Sequence, residues 1–386
     1  MSTAPTRATL ADVARRAGVS TSTASLAFSG SGPVAAATRA KVLAAAEEMG
    51  YAGPDPRGRS LRSGRTGVVA VVVGERLGYA FRDPMMVSLM DALADELSPL
   101  GSSLLLVTAT DGTPAAGHAP LADRLAAVPL DGVVFATCGP HVEPAVTGML
   151  RRHLPLVTID RRSDDDIAAV TVDDAGGVRA CLDHLAALGH ERIGVLTLPM
   201  AVDDGAGAPP QPRVVPQSEI DTLLATGGAG SVGEGGIPLL RLLAAAEHAR
   251  TLRTADGKPV RLTVVECARN LSEAGGEGTR LLLGRQGPDA VTAVAAQSDV
   301  LAVGCLSAAE GLGLAVPARL SVTGFDGIEP HVLGSPLELT TAVQPVREKG
   351  RAAGRRLASL LAGQDADSVD LPVELRVGAS TGPAPA

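Results

Sequence analysis

The chain has 386 residues, which at about 150 residues per domain predicts two or three domains. Its 42 acidic side chains exceed its 34 basic ones, and the net charge of −8 excludes a uniformly basic protein that coats nucleic acid. The charge is unevenly divided: residues 1–66 carry nine basic and four acidic side chains and are net +5, which leaves −13 for the rest. This division predicts a nucleic-acid-binding end attached to an acidic body.

We expect neither a membrane span nor an export signal. No stretch approaches the roughly 18 consecutive apolar residues of a transmembrane helix. The first residues, MSTAPTRATLADVARR, lack the apolar segment of a signal peptide, so a cytoplasmic protein is expected. The four cysteines stand far apart without a CxxC pair, which favours reduced core thiols over a disulfide framework or a zinc site. We therefore expect no metal and no cofactor.

Residues 9–28, TLADVARRAGVSTSTASLAF, have the pattern of two short helices joined by a tight turn. The apolar side chains of the first helix recur at helical spacing: Leu10, Val13, Ala14 and Ala17. Gly18 ends this helix, Ser20 is a good N-cap for the second, and a third helix over about 35–49 would close a small core. The pattern is typical of a helix-turn-helix, whose second helix enters the major groove. A purely structural helical hairpin is the alternative, and the basic side chains of the segment disfavour it.

The string TLADVARRAGVSTSTASLAFSGSGPV, followed by TRAKVLAAAEEMGY, resembles the DNA-binding headpiece of the lactose/galactose-repressor (LacI/GalR) family. The resemblance implies a headpiece over residues 1–53 and a hinge over 54–66 that becomes helical when two subunits meet on DNA. Within the hinge, Leu61 would enter the minor groove and open the central base step; an ordinary linker leucine is the alternative. The DNA-contacting residues implied by the resemblance are Thr9, Ser20, Thr21, Ser22, Ser25, Leu26, Arg39, Arg59 and Leu61.

Two positions depart from the family pattern. Leu26 stands where an Arg is common, and a leucine cannot bind guanine through two hydrogen bonds as an Arg can. Ala35 replaces the usual hydroxyl N-cap of the third helix. The operator sequence therefore stays open, and we expect a headpiece of lower stability.

From residue 67 the pattern changes to short apolar strands that alternate with amphipathic helices. Eight strands are predicted, at 67–73, 102–109, 131–138, 154–160, 191–198, 261–267, 291–297 and 319–326. Continuous runs of Val, Leu and Ile separated by helices, such as those over 84–101 and 173–190, indicate parallel strands covered on both faces. We predict an α/β body over 67–386, with two doubly wound parallel-sheet lobes.

The body also resembles the family's effector domain, which is similar to periplasmic sugar-binding proteins. The matching series is PLVTIDR, VDDAGGVRACLDHLAALGHERIGVL, QSDVLAVGCLSAAEGLGLAVPARLSVTGFDGIEP and LTTAVQP. The resemblance implies two lobes joined by crossover strands, with a ligand in the cleft at the strand ends. The implied effector-binding residues are Phe81, Asp83, Asp160, Arg241, Ser298, Asp299 and Asp326, with Gln344 in the crossover. The alternatives are that Asp299 caps the following helix and that Asp160 pairs with Arg161 or Arg162.

Residues 201–236 do not match the family. Their glycine- and proline-rich composition predicts a long surface loop that buries no core, either a spacer or a gate at the cleft. Gly228-x-Gly230-x-x-Gly233 within it fits a dinucleotide fingerprint, but it follows no strand and is a weak match.

Together these features predict a sequence-specific, ligand-responsive transcriptional regulator, most simply a repressor. Its expected partners are palindromic double-stranded operator DNA, a small sugar-like effector and a second copy of the chain. A dimer is expected because the C-terminal segment has no leucine heptads, which would form the coiled coil of a tetramer. A solute-binding protein of a transport system is the alternative. An enzyme is not expected, since the sequence has no GxSxG, HExxH or P-loop motif.

Overall fold

The computed structural model describes most of the chain. The described residues are 8–29, 32–54, 64–74, 76–109, 119–137, 142–161, 167–200, 211–226, 236–284, 290–335 and 337–385. Internal contacts divide the chain into two compact units, Met1–Gly67 and Val68–Ala386. Each unit is described by itself.

The first unit contains the three predicted helices: α1 (Leu10–Ala17), α2 (Thr21–Ser29) and α3 (Ala36–Glu48). Small side chains dominate its buried core: Val13, Ala14, Ala17, Ala24, Ala27, Val42, Ala45 and Ala46. Gly18 ends α1 with a φ of 68°, a left-handed conformation that glycine adopts at little cost. The tight turn that this permits lets α1 and α2 pack on each other.

The helix ends of this unit are capped unequally. Thr9 and Asp12 form a reciprocal capping box at the start of α1. At the start of α2, the Ser20 hydroxyl accepts a hydrogen bond from the Thr23 amide at 3.1 Å. The predicted weak cap of α3 is confirmed, because Ala35 offers no side-chain acceptor.

The first lobe of the second unit is a six-stranded parallel sheet. Its strands are β1 (Val68–Val73), β2 (Ser103–Thr108), β3 (Gly132–Ala136), β4 (Leu156–Ile159), β5 (Ala168–Val172) and β12 (Val369–Leu371), in the order β12-β5-β4-β3-β1-β2. Its helices are α4 (Leu77–Ala80), α5 (Pro84–Leu97), α6 (Leu121–Ala126), α7 (Glu143–Arg151) and α14 (Val346–Leu361), with a 3₁₀ turn over Ser98–Leu100. Val69, Val71, Val134 and Val157 are fully buried beneath them.

The second lobe is a seven-stranded sheet. Its strands are β6 (Arg192–Thr197), β7 (Arg213–Val215), β8 (Arg261–Glu266), β9 (Ala293–Ala296), β10 (Ser321–Asp326), β11 (Thr340–Val343) and β13 (Glu374–Arg376), in the order β13-β11-β10-β9-β6-β8-β7. Only the edge strands β7 and β13 pair antiparallel. Its helices are α8 (Asp174–Ala187), α9 (Gln217–Ala225), α10 (Gly236–Thr251), α11 (Ser272–Leu283), α12 (Asp299–Gly311) and α13 (Pro330–Leu333).

The chain passes between the lobes three times, after β5, after β11 and between β12 and β13. The helix after the second passage, α14, packs along α5 in the first lobe. Gly350 permits this close approach, since a Cβ there would lie 2.5 Å from the Leu89 carbonyl oxygen. The predicted doubly wound architecture is confirmed, and each of the eight predicted strands is present. In the part of the chain that the structure describes, no helix combines the length and apolarity needed to cross a membrane.

The prediction that residues 201–236 bury no core is wrong for the middle of that segment. Its described part contains β7, which pairs with β8, and α9, whose Ile220 is buried together with Val215. Arg213, the first residue of β7, stabilises the strand by forming ion pairs with both Glu219 and Glu266. Averaging composition over the whole segment hid the short apolar runs RVV and EIDTLLA. Gly228, Gly230 and Gly233 lie outside the described residues.

Candidate functional site: a DNA-reading helix and an interlobe cleft

The second helix of the headpiece presents an uncharged surface. Its sequence, TSTASLAFS, contains no acidic or basic residue. Thr21 and Ser22 are exposed, Ser25 is half-buried, and Leu26 is 37% exposed. Hydroxyl and methyl groups of this kind can contact base edges singly, including the methyl group of thymine. They cannot supply the charge that holds a duplex.

Basic side chains on the neighbouring helices supply that charge. Arg15 pairs with Asp12 at 3.1 Å and Arg16 pairs with Glu48 at 2.7 Å, both at the surface. Exposed pairs of this type contribute roughly 0–1 kcal/mol, so the arginines can exchange their partners for phosphate. Arg39 is half-buried and its Nε has no hydrogen-bond partner in the described structure.

The remaining headpiece predictions fall into two groups. The Thr9 and Ser20 hydroxyls already serve as helix caps, which positions their backbone at the N-terminal ends of α1 and α2, where phosphate binds well. Arg59 and Leu61 lie outside the described residues.

In the second unit, a cavity of about 270 Å³ lies between the two lobes at the carboxyl ends of their strands. Five of the seven predicted effector-binding residues line it: Asp83, Asp160, Arg241, Ser298 and Asp326. Gln344 from the crossover lines it as well. This is the position at which open α/β sheets bind ligands.

The other two predicted residues lie elsewhere. Phe81 is 54% exposed and does not line the cavity. Asp299 is 0% exposed, and its two oxygens accept hydrogen bonds from the Thr341 hydroxyl at 2.6 Å and from the Ile328 amide at 2.7 Å. It therefore fixes the loop after β10 rather than facing the cavity. Nor does it cap α12, whose N-cap is the hydroxyl of Ser298.

The two aspartates at the strand ends have unusual backbone geometry. Asp160, directly after β4, has a φ of 59°, and Asp326, the last residue of β10, has a φ of 124°. A non-glycine residue with positive φ costs of order 1–3 kcal/mol, and such residues cluster at functional sites. Both carboxylates are thereby turned toward the cavity that they line.

Arg241 is buried in the floor of the cavity and extensively bonded. It is 4% exposed and pairs with Asp174, also 4% exposed, through Nε and Nη2 at 2.7 Å. Nη1 donates to the carbonyl oxygen of Gln297 at 2.5 Å, and the guanidinium lies 3.5 Å from the ring centre of Phe325. These contacts fix its orientation, and the two hydrogen bonds from Nε and Nη1 use two of its five N–H donors.

A continuous chain of polar contacts crosses the cavity wall. Lys349 donates to both oxygens of Asp160, at 2.7 and 2.9 Å, and to Oε1 of Gln344 at 2.7 Å. The Gln344 amide nitrogen in turn donates to Asp326 at 2.7 Å. This chain joins the end of a first-lobe strand to the end of a second-lobe strand. Asp160 thus pairs with Lys349, whereas Arg161 pairs with Glu143.

Two of the cavity residues that form hydrogen bonds there, Lys349 and Asn270, were not predicted from the sequence. Lys349 sits in the charged string VREKGRAAGRRL, which reads as a solvated helix, and no pattern singled it out. Asn270 follows β8; its Nδ2 donates to Asp83 at 3.4 Å, and its Oδ1 accepts from the Ser298 hydroxyl at 2.6 Å. Asp83 also caps α5 by accepting from the Met85 amide at 2.9 Å.

Burial shapes the electrostatics of the cleft. It raises the pKa of Asp326 well above its ordinary value, against the opposing effect of Arg241. Burial likewise raises the pKa of Asp83 and of Asp174, the latter despite its pairing with Arg241. For Asp299, burial raises the pKa to about 6. Burial thus favours the neutral form of these carboxyl groups over the charged form.

The described lining of the cleft combines apolar and polar side chains that can bind a ligand. No group of three or more His, Cys, Asp or Glu side chains that could hold a metal occurs among the described residues. The cavity has apolar walls from Met85, Met86, Leu89, Leu198 and Ile237, and carboxylate, amide and guanidinium groups converge on it. No aromatic side chain contributes to the described lining. A helix-turn-helix unit joined to such a cleft defines the class of ligand-responsive transcriptional regulators.

Comparisons with known proteins agree with this class. Residues 9–53 match the family described as "Bacterial regulatory proteins, lacI family". Residues 66–208 match "Periplasmic binding proteins and sugar binding domain of LacI family", and residues 182–381 match "Periplasmic binding protein-like domain". An HTH-type transcriptional regulator of Mycobacterium tuberculosis is 32% identical over 356 residues, covering 91% of this chain and 90% of that one. The chain belongs to the LacI family of DNA-binding transcriptional regulators.

Solved structures show the same architecture. The transcriptional regulator CelR in complex with cellobiose is 25% identical, covers 97% of this chain and 100% of its own, and has a TM-score of 0.62. The lac repressor dimer bound to operator and an anti-inducer has a TM-score of 0.72 over 97% of this chain and 99% of that one; at 23% identity it shows the fold alone. The headpiece and the regulator relatives favour this function over that of a solute-binding protein of a transport system.

Proposed function

We propose that the chain is a repressor that binds a palindromic operator as a homodimer and whose operator affinity is controlled by a small, sugar-like ligand in the interlobe cleft. The observation that carries the ligand response is the convergence of Asp160, Asp326 and Arg241 on one cavity of about 270 Å³. Carboxylate and guanidinium groups match the donors and acceptors of a polyhydroxylated molecule.

The DNA-binding half of the proposal rests on the headpiece. In a two-fold symmetric dimer, two copies of α2 would lie in successive major grooves, and the symmetry of the protein would be matched by a palindromic site. Thr21, Ser22 and Leu26 would read base edges, and the basic side chains around α1 and α3 would contact phosphate. Leu61 would act as the minor-groove wedge between them. A cytoplasmic location, where chromosomal DNA is found, remains part of this proposal.

The ligand-binding half is supported by size and by similarity. The cavity volume lies near the lower end of the roughly 300–1,000 Å³ typical of ligand pockets, which favours a small molecule. The structurally similar regulator CelR was solved with cellobiose. A sugar in this cleft would pack on aliphatic side chains, because the described lining offers no aromatic ring.

The fold offers a route from ligand to DNA. Lys349 contacts the cavity, and the next residue, Gly350, packs directly on α5 of the first lobe. A ligand that binds one relative position of the lobes more tightly than another shifts the equilibrium between them. In a dimer this shift would separate the two hinges and lower operator affinity.

The proposal is tested by measuring operator affinity with and without neutral mono- and disaccharides, on fragments that the purified chain recovers from genomic DNA. We expect at least one saccharide to weaken binding to the wild-type chain and to have no effect on the Asp326→Ala variant. Asp365→Ala, which removes an exposed carboxylate outside the cleft, is the matched control and should respond like the wild type. An Asp326→Ala chain that still responds would contradict the assignment of the cleft.

A further inference from the structure

The charges of the cleft narrow the class of ligand. Resting on the proposed ligand response, we infer that the cleft selects an uncharged, hydroxyl-rich molecule and rejects anionic ones, phosphorylated sugars in particular. The reason is that both cationic side chains in its described lining are already paired with carboxylates of the same chain, while further carboxyl groups line the cavity.

Five titratable side chains line the cavity within the described residues: Asp83, Asp160, Asp326, Arg241 and Lys349. A cation with free hydrogen-bonding capacity binds an anionic ligand strongly. Within the described lining of the cavity, only Arg241 and Lys349 could supply one. The contacts that these two side chains already make therefore determine whether the cleft can bind an anion.

Lys349 has no donor left for a ligand. An ammonium group has three N–H donors, and three acceptor atoms already lie within 2.9 Å: the two oxygens of Asp160 and Oε1 of Gln344. The side chain is 5% exposed, so its charge is balanced locally by Asp160 rather than by solvent. A phosphate could reach this ammonium only by displacing the Asp160 carboxylate or the Gln344 amide oxygen.

Arg241 is neutralised but retains directional donors. Asp174 pairs with it at 2.7 Å, and both partners are 4% exposed. Its hydrogen bonds to Asp174 and to the Gln297 carbonyl use two of the five guanidinium N–H groups and leave three. These suit the oxygen of an uncharged hydroxyl, which needs donors but no compensating charge.

The remaining carboxyl groups oppose an anion. Asp326 has one oxygen bonded to Gln344, and no hydrogen bond to its second oxygen is found within the described structure. Asp83 also lines the cavity and contributes a second acidic group. In the ionised form, either carboxyl group would repel a phosphate, and in both forms each can accept a hydrogen bond from a sugar hydroxyl. The same arrangement thus favours an uncharged, hydroxyl-rich ligand over a phosphorylated one.

The test uses the full chain and two kinds of probe. In the first arm, glucose is compared with glucose 6-phosphate, and ribose with ribose 5-phosphate, for their effect on operator affinity. In the second arm, inorganic phosphate is titrated against chloride of equal ionic strength, with the melting temperature as the readout. For wild type we expect at least tenfold weaker action of any phosphorylated sugar than of its neutral counterpart, and no phosphate-specific stabilisation.

Asp160→Asn is the informative variant. Asparagine tolerates the positive φ of this position, and the substitution removes the charge that masks Lys349. This variant should gain phosphate binding at least tenfold tighter than the wild type, and Lys349→Met in the same background should abolish the gain. Asp365→Asn, a surface change of the same chemistry, should gain nothing.

The outcomes separate the two proposals. Wild-type stabilisation by phosphate that Lys349→Met abolishes, or a folded Asp160→Asn chain that gains no phosphate binding, would overturn the masking of the cations. A phosphorylated sugar that acts as strongly as its neutral partner would overturn the ligand class. If neither member of any pair changes operator affinity, the proposed ligand response fails for these sugars, while the phosphate arm still decides the state of the cations. If the Asp160→Asn variant does not fold, the phosphate titration of the wild-type chain still tests whether the cations are masked.

Discussion

The two recognition surfaces of this protein use charge in opposite ways. Helix α2, which we propose to face DNA, has no charged residue. The cleft, which we propose to hold an uncharged ligand, has five titratable side chains in its described lining. On the headpiece, charge lies beside the reading surface on Arg15, Arg16 and Arg39. In the cleft, charge is paired off within the chain.

The difference follows from what each surface must distinguish. Phosphate contacts provide affinity that is independent of sequence, so placing them beside the reading helix leaves the contacts to base edges free to discriminate. In the cleft, buried ion pairs such as Arg241–Asp174 hold donors and acceptors in fixed directions, and discrimination comes from geometry. On this account, the headpiece places the side chains that provide affinity beside those that provide specificity. In the cleft, the ion pairs orient the hydrogen-bonding groups without leaving a net charge on the pair.

Removing one member of a buried ion pair should have the largest effect. Asp174→Ala leaves the Arg241 guanidinium buried without its partner, and we expect the body to lose about 3–5 kcal/mol of unfolding free energy. Asp91→Ala is the matched control, because it breaks the exposed pair between Asp91 and Arg347 and should cost about 0–1 kcal/mol. Urea denaturation followed by circular dichroism measures both. Equal losses in the two variants would show that the cleft pair is no more important than a surface one.

A second prediction concerns pH. Burial raises the pKa of Asp299 to about 6, above its unfolded value near 3.9, so the folded state holds this proton more tightly than the unfolded state does. Its contribution to stability is therefore fully present below pH 4 and is lost as the pH rises to 6, by up to about 3 kcal/mol. Asp299→Asn removes this titration, so the stability of the variant relative to wild type should increase over that interval. A difference between the two chains that does not change with pH would contradict the assignment.

The helix caps of the headpiece provide a pair of opposite, smaller effects. Thr9→Ala destroys the capping box of α1 and should destabilise the headpiece by about 1 kcal/mol, whereas Ala35→Ser supplies the acceptor missing at α3 and should stabilise it by about the same amount. Hydrogen exchange of the α1 and α3 amides in the full chain reports both changes. Protection that moves in the same direction in the two variants would be inconsistent with the capping geometry.

The smallest expected effect tests the separation of affinity from specificity. Ser22→Ala should weaken operator binding by about 1 kcal/mol, the net value of one hydrogen bond, without altering the salt dependence. Arg16→Ala should instead weaken operator and non-operator DNA alike and reduce the salt slope by about one. Fluorescence anisotropy at several salt concentrations distinguishes the two. A reduced slope for Ser22→Ala would place that residue on phosphate rather than on a base.

The sequence predicts those parts of the structure that depend on local patterns. Buried parallel strands appear as continuous apolar runs, and each parallel sheet gathers the carboxyl ends of its strands at one edge. Asp160 lies at that edge in the first lobe and Asp326 at that edge in the second, and both line the cleft. Lys349 was missed because a charged helix surface looks solvated in sequence, and only the packing of Gly350 against α5 places this side chain in the cleft. Phe81 and Asp299 were assigned to the cavity from the resemblance to the family, but the direction of a single side chain depends on tertiary contacts that a sequence motif does not encode.

The short strand and helix within residues 201–236 illustrate the same limit. Their apolar residues are few and flanked by glycine and proline, so the composition of the segment resembles that of a loop. Pairing of β7 with the edge of β8, together with the ion pairs of Arg213, supplies the order that local sequence does not.

The central claim is that an uncharged reading helix selects a specific operator. It is tested most directly by selecting genomic DNA fragments with the purified chain at about 150 mM salt, where binding through phosphate alone is weak. We predict enrichment of a palindrome with a flexible central step, and loss of that enrichment in the Thr21→Ala, Ser22→Ala double variant. Recovery of fragments without a common sequence, equally by the wild type and the double variant, would contradict the claim.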